Sequence, residues 1–194
     1  MARKILIGVA ALIVLLVIVI LTRPATFHIE RSITMSAPPE TAFAQVNDFR
    51  AWPAWSPWEK LDPQMKKTFE GPPAGVGAKY AWAGNDKVGE GRMTMEKSEK
   101  PSTIGIKLEF LKPFEATNDT TFTFAPAAGG SKVTWAMDGE NTFMGKAASL
   151  FMDMDKMLGD DFEKGLAAMK TAAEAASKAA PGAAPGALAP PAAP

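Results

Sequence analysis

Few side chains in this chain of 194 residues have the chemistry that catalysis or metal binding requires. There is no cysteine, which excludes disulfides, thiolate metal sites and cysteine nucleophiles. The one histidine, His28, leaves no room for a histidine-rich metal site or for a Ser–His–Asp triad that does not use it. The remaining acid–base candidates are Tyr80, Glu109 and Asp138, and no two of them form an obvious pair. The sequence therefore identifies no catalytic residue, no metal site and no cofactor, and it leaves open whether the protein is an enzyme.

Charged residues point to a solvated surface rather than to a charged partner. The formal net charge is zero, which gives no electrostatic reason to expect nucleic acid. A set of acidic residues near the C-terminal end invites a metal-site interpretation, but helical spacing scatters these residues around the axis and basic residues lie nearby. We interpret them as one solvated helix face. They are Asp153, Asp155, Asp160, Asp161 and Glu163.

Aromatic side chains are better suited to contact a ligand. Three of the five tryptophans, Trp52, Trp55 and Trp58, fall within one seven-residue stretch, and two prolines in that stretch forbid a regular helix. Rings on such a stiff, irregular segment must pack against something. They either close the end of a packed core or line the mouth of an apolar cavity.

Further apolar residues are predicted to face the same interior from strands and from a helix. Core filling is the simpler interpretation of the methionines, although flexible thioethers also suit an adaptable pocket. If the interior holds a cavity, we expect a ligand to contact eleven residues. They are Trp55, Trp58, Tyr80, Trp82, Met95, Leu108, Phe110, Met137, Met154, Leu158 and Phe162.

An N-terminal membrane anchor is predicted over residues 1–23. Residues 5–21 form an unbroken apolar run, and a helix of roughly 25 Å over this run would nearly cross a hydrocarbon core. The alternative is a cleaved signal peptide, but the run is long and no small-residue cleavage site follows it. Arg3 and Lys4 precede the run and Arg23 follows it, which predicts a cytoplasmic N-terminus and a domain in the periplasm or outside the cell.

The rest of the chain divides into one domain, residues 24–178, and a tail, residues 179–194. The tail is nearly all Ala, Pro and Gly, so we expect it to be disordered. Within the domain, alternating patterns predict seven strands of an antiparallel sheet with one wet face. Apolar residues at steps of three and four predict a long amphipathic helix from about Ala147 onwards. The strands are expected at residues 26–35, 66–70, 78–83, 91–98, 103–110, 120–124 and 132–138. A glycine- and proline-rich loop, residues 71–77, is expected to rim the cavity.

This order of elements resembles the helix-grip proteins of the SRPBCC (START/Bet v 1-like) superfamily, and local motifs resemble its bacterial polyketide cyclase/dehydrase-like members. The motifs are Trp55-Ser56-Pro57-Trp58, Gly71-Pro72 with Gly75-Val76-Gly77-Ala78, Tyr80-Ala81-Trp82, Asp153-Met154-Asp155-Lys156 and Asp161-Phe162-Glu163-Lys164-Gly165-Leu166. The resemblance implies an α+β fold in which a curved antiparallel sheet wraps a long C-terminal helix, with an apolar cavity between them.

Three hypotheses for function follow. The first is a membrane-anchored domain that binds a small hydrophobic molecule in the cavity. The second is an enzyme of the polyketide cyclase or dehydratase type, which a tyrosine or carboxylate pair in the cavity would favour. The third is a scaffold with a filled core, which an exposed apolar patch would favour.

Overall fold

The computed structural model describes residues 2–179, which form four α-helices and seven strands. The predicted tail lies outside the described residues except for Ala179, the last residue of the C-terminal helix. The elements are α1 (Ala2–Leu21), β1 (Thr26–Met35), α2 (Pro39–Asn47), β2 (Lys66–Glu70), β3 (Lys79–Ala83), β4 (Glu90–Glu99), β5 (Thr103–Lys112), β6 (Ala116–Ala127), β7 (Gly130–Glu140), α3 (Phe143–Ala148) and α4 (Met154–Ala179).

The seven strands form one antiparallel sheet in the order β1-β7-β6-β5-β4-β3-β2. Side chains alternate between its two faces, because successive residues of a strand point in opposite directions. On β7, for example, Val133, Trp135 and Met137 are buried, whereas Asp138 on the other face is exposed. The sheet curves around α4, whose buried residues face the same interior, so the predicted helix-grip fold is confirmed.

The C-terminal helical region differs from the expectation of one helix starting near Ala147. The chain forms the short helix α3, turns, and starts the long helix only at Met154. The Asp153 carboxylate accepts a hydrogen bond from the Lys156 backbone amide at 3.0 Å, as an N-cap residue does. Phe151 continues the apolar spacing that predicts the helix, but it lies in the turn and is 87% exposed. The apolar period therefore extended the predicted helix past its true start.

Two glycines of α4 permit close contacts with the sheet. A methyl group at Gly165 would lie 2.9 Å from the Trp135 ring and 3.1 Å from Pro57. Gly159 faces the Arg31 guanidinium, which forms ion pairs with Asp155 at 3.0 Å and with Glu163. Because glycine has no side chain at these two positions, α4 lies directly against the sheet and the Trp–Pro segment.

Helix α1 is long and apolar enough to cross a membrane. Its side chains are exposed on almost every side, with only Ile20 buried. This exposure excludes a buried core helix. At the end of α1, Arg23 donates hydrogen bonds to the Ser149 hydroxyl at 3.2 Å and to its carbonyl oxygen at 3.0 Å, which joins the helix exit to α3.

The Trp–Pro segment, residues 49–60, forms two short 3-10 turns after α2. The Trp52 indole donates to the Val46 carbonyl oxygen at 3.1 Å, and the Trp55 indole donates to the Gln45 carbonyl oxygen at 2.9 Å. These carbonyls lie at the end of α2, where no helical amide can reach them. The two rings therefore fasten the segment to α2 and fill the core beneath it.

Candidate functional site

A cavity of about 410 Å³, open at one mouth, lies between the inner face of the sheet, the first turns of α4 and the Trp–Pro segment. Its volume falls within the range of small-molecule sites. Strands β3 to β7 supply the deep wall, and α4 supplies Met154 and Leu158. The mouth lies between the β3–β4 loop, the β5–β6 loop and the start of α3. The exposed residues Lys87, Phe114 and Thr142 mark these three elements.

Eight of the eleven candidate residues line this cavity. They are Trp58, Tyr80, Trp82, Leu108, Phe110, Met137, Met154 and Leu158. The other three, Trp55, Met95 and Phe162, do not line it and are fully buried in the core. Trp55 is turned towards α2 by its hydrogen bond to Gln45.

Stacked and edge-on rings build the wall of the cavity next to α4. Trp135 stacks on Phe162 with the ring centroids 4.2 Å apart, and Trp58 meets the edge of Trp135 at 5.6 Å. Phe122 stacks on Trp135 at 4.8 Å from the neighbouring strand. These contacts fix Trp135 in place, so Phe162 supports a lining ring without lining the cavity itself.

A polar pair lies in the wall beside Trp82. The Tyr80 hydroxyl donates a hydrogen bond to Glu59 at 2.8 Å, and the other oxygen of Glu59 forms an ion pair with Lys67. Burial of the ring raises the pKa of Tyr80 far above its ordinary value, and the hydrogen bond to Glu59 raises it further. Tyr80 is therefore a neutral phenol that donates to a carboxylate already held by a lysine.

A second polar group lines the deep wall. Asn118 and Thr120 of β6 face inward, and Thr120 lies diagonally across from Trp135 of β7. The Thr120 hydroxyl and the Trp135 indole nitrogen are both buried, and neither has a hydrogen-bond partner among the described residues. Buried polar groups are nearly always paired, so these two atoms are exceptions that need an explanation.

Sequence reasoning missed several lining residues. Asn118 and Thr120 lie at even steps from the buried Phe122 and Phe124 on the same strand, so the alternation of β6 could have identified them as inward-facing. Glu59 and Ser56 lie in the irregular Trp–Pro segment, where no period predicts which side chains face the interior.

The two acidic candidates for catalysis lie outside the cavity. Glu109 pairs with Arg92 at 2.7 Å, and Asp138 accepts a hydrogen bond from the exposed His28 at 2.7 Å. Both lie on the outer face of the sheet. Among residues 2–179 there is no group of three or more His, Cys, Asp or Glu residues that could hold a metal ion.

The loop of residues 71–77, expected to rim the cavity, is not among its lining residues. Gly71, Gly75 and Gly77 all have positive φ angles, which the tight path of the loop requires. Gly75 donates to the Asn47 carbonyl oxygen at 3.1 Å. The loop therefore packs against the end of α2 instead of the cavity mouth.

Comparisons with known proteins agree with this architecture. CV1439 from Chromobacterium violaceum is similar with 17% identity and a TM-score of 0.55, over 78% of this chain and 99% of that chain. The di-domain ARO/CYC protein StfQ from the steffimycin biosynthetic pathway has 12% identity and a TM-score of 0.58, over 79% of this chain and 52% of that chain. Ara h 8.0201 has 14% identity and a TM-score of 0.51, over 80% of this chain and 99% of that chain.

Identities this low show the fold alone. No curated protein matches the sequence. The profile of the family described as "Polyketide cyclase / dehydrase and lipid transport" matches residues 26–174, which is nearly the whole globular part of the chain. The chain therefore belongs to this family, within the SRPBCC superfamily.

Proposed function

We propose that the protein is a membrane-anchored binding protein that holds one small hydrophobic molecule in the cavity between the sheet and α4. The observation that carries the proposal is the mostly apolar cavity of about 410 Å³. A filled core would have favoured the scaffold hypothesis instead. The aromatic and methionine side chains around the cavity suit a flexible or flat apolar molecule.

Helix α1 supports the anchoring part of the proposal. It is apolar from Ile5 to Leu21, and Arg23, just past its end, donates a hydrogen bond to Ser149 at the end of α3, next to the cavity mouth. An apolar ligand has low solubility in water, so a binding domain held at the membrane lies near the phase in which its ligand dissolves.

Native mass spectrometry of the full chain, purified in a mild detergent, tests binding. We expect a retained adduct of defined mass on the wild type. Leu108→Trp should reduce its occupancy by about tenfold, because the larger ring occupies the cavity. Leu61→Trp is the matched control, since Leu61 is exposed and lies outside the cavity. An absent adduct, or equal occupancy in both variants, would overturn the proposal.

A second candidate, an enzyme of the cyclase or dehydratase type, is favoured by the Tyr80–Glu59 hydrogen bond in the cavity wall. The raised pKa of Tyr80 keeps its hydroxyl protonated, so Tyr80 would not act as the base of this pair. A comparison of the molecules retained by the wild type and by Tyr80→Phe separates the candidates. A dehydratase predicts retained molecules that differ in mass by the elements of water, and a cyclase predicts isomers of equal mass that chromatography separates. Simple binding predicts the same molecule in both.

A further inference from the structure

We infer that the cavity recognises an apolar molecule that carries an acceptor oxygen, and that Trp135 Nε1 and Thr120 Oγ1 bind this oxygen. The inference rests on the proposed function and deepens it, because it assigns the chemical class of the ligand. A purely apolar ligand would leave both polar atoms buried and unpaired.

The other tryptophans show what is unusual about Trp135. The indole nitrogens of Trp52, Trp55 and Trp82 each donate to a backbone carbonyl oxygen at 2.9–3.1 Å. The fourth, Trp58, is only partly buried. The Trp135 side chain is 1% exposed, and its nitrogen has no partner among the described residues. An indole nitrogen can only donate a hydrogen bond, so its missing partner must be an acceptor.

The positions of Trp135 and Thr120 in the cavity wall also support a ligand oxygen as the missing partner. The Trp135 ring meets α4 at Gly165 through Cζ3, which is on the benzene side of the indole, away from Nε1. Thr120 is 4% exposed and lines the cavity beside Trp135 on the adjacent strand. One carbonyl, ester or hydroxyl oxygen on a ligand could therefore accept from both groups, while its apolar body fills the rest of the cavity.

The test uses the full chain in nanodiscs with ¹⁵N-labelled tryptophan, and two probes: methyl nonyl ketone and undecane. The two probes have the same carbon count and differ by one carbonyl oxygen. We expect the ketone, but not undecane, to move the Trp135 indole proton resonance downfield, because a new hydrogen bond forms. Trp135→Phe identifies the resonance by its loss.

Competition between the two probes gives a second readout. The wild type should prefer the ketone by about three- to tenfold, and Trp135→Phe should abolish this preference. Trp55→Phe is the matched control and should keep it, because the Trp55 indole already donates to Gln45. An equal response to both probes would overturn the inference and leave cavity binding intact, with a bound water as the partner of the indole. Failure of both probes to bind would overturn the proposed function as well.

A separate observation concerns the surface around the cavity mouth. Beyond α1, six of the nine exposed large apolar residues in the described part of the chain come from only two segments, which flank the mouth. We name them the mouth rim: Leu111, Phe114, Phe143, Met144, Phe151 and Met152. Exposed apolar side chains gathered in this way mark an interaction surface.

We propose that the mouth rim docks on the bilayer crossed by α1, so that the cavity opens towards the lipid. This also rests on the proposed anchoring. The path of the chain indicates that this bilayer is what covers the mouth rim. Helix α1 ends at Leu21, and Arg23 is hydrogen bonded to Ser149. Ser149 lies between the rim residues of α3 and the rim residues of the turn that follows α3. A surface fixed next to the exit of a membrane span meets the interface of the same membrane.

Single-cysteine labelling tests this docking, because the chain has no cysteine of its own. Phe114→Cys and Phe151→Cys, labelled with the fluorophore NBD in liposomes that contain doxyl-labelled phospholipid, should show blue-shifted and quenched emission. Val76→Cys, at an exposed apolar residue away from the rim, should show neither effect. Val14→Cys reports the insertion of α1.

The outcomes separate docking from anchoring. Quenching at Val14→Cys without quenching at the two rim positions would overturn docking and leave the anchor intact. No quenching at any position would overturn both.

Discussion

The Trp135 ring on β7 lies parallel to the Phe162 ring on α4, with 4.2 Å between the centroids and 4° between the planes. This stack is a direct contact between the sheet and the long helix, and it forms part of the wall behind the cavity. Both rings are fully buried. The position of α4 against the sheet, and so the shape of the cavity, depends on this contact.

Removing one ring of the stack should destabilise the domain strongly. Phe162→Ala leaves a cavity in a packed core, and we expect a loss of about 3–5 kcal/mol in the free energy of unfolding. Urea unfolding of the full chain in a mild detergent, followed by tryptophan fluorescence, measures it. Phe114→Ala, at a 67% exposed position, should change the same quantity by less than about 0.5 kcal/mol. Equal effects would mean that the stack does not hold α4 in place.

A methyl group at Gly165 should also be harmful, although alanine favours helices. It would meet the Trp135 ring at 2.9 Å, and we expect a net loss of about 1–3 kcal/mol from overpacking. Gly145 in α3 offers a matched control, since a methyl group there finds its nearest neighbour at 3.5 Å. Gly145→Ala should be neutral or stabilising by up to about 1 kcal/mol. A stabilising Gly165→Ala would contradict the close approach of helix and sheet.

The ion pair between Arg31 and Asp155 should stabilise the folded domain at neutral pH and lose this effect in acid. Hydrogen bonds from Arg31 hold the pKa of Asp155 below its ordinary value. Its contribution is therefore complete above the unfolded-state pKa of about 3.9 and is lost as the pH falls through the lower folded-state value. The urea midpoints of the wild type and Asp155→Asn should differ at neutral pH and converge below about pH 4. Asp160→Asn, outside the ion pair, should show no such convergence, and a difference that is independent of pH for Asp155→Asn would contradict the pair.

Topology can be read from cysteine accessibility in intact cells. The positive residues Arg3 and Lys4 at the start of α1 predict that Val76→Cys reacts with an impermeant maleimide, whereas Ala2→Cys reacts only after permeabilisation. The opposite pattern would place the domain in the cytoplasm. Loss of Ala2→Cys from the mature protein would indicate a cleaved signal peptide instead of an anchor.

The sheet could be predicted from the sequence because each strand carries its own alternation of apolar and polar residues. Trp82, Leu108 and Met137 line the cavity for this local reason. Which of Trp55 and Trp58 faces the cavity could not be predicted, because the answer depends on hydrogen bonds between distant backbone groups and the indole rings.

The start of α4 was missed for a similar reason. Leu150 and Phe151 continue the apolar period, but Asp153 is an N-cap and the long helix starts only after it, at Met154. A capping hydrogen bond fixes where a helix starts, and apolar spacing alone gives no indication of it. The alternation on β6 is enough to predict that Thr120 faces inward. Its lack of a hydrogen-bond partner could not be predicted, because this depends on which groups of other elements surround it.

Binding inside the cavity is tested most directly by photo-methionine, which replaces methionine in growing cells and crosslinks to whatever touches it. Four methionines line the cavity, Met65, Met93, Met137 and Met154, whereas Met95 and Met169 are fully buried in the packed core. The full chain, irradiated and digested, should carry one small apolar adduct on one of the four lining methionines and none on Met95 or Met169. Adducts confined to exposed methionines such as Met144, or no adduct at all, would contradict binding in the cavity.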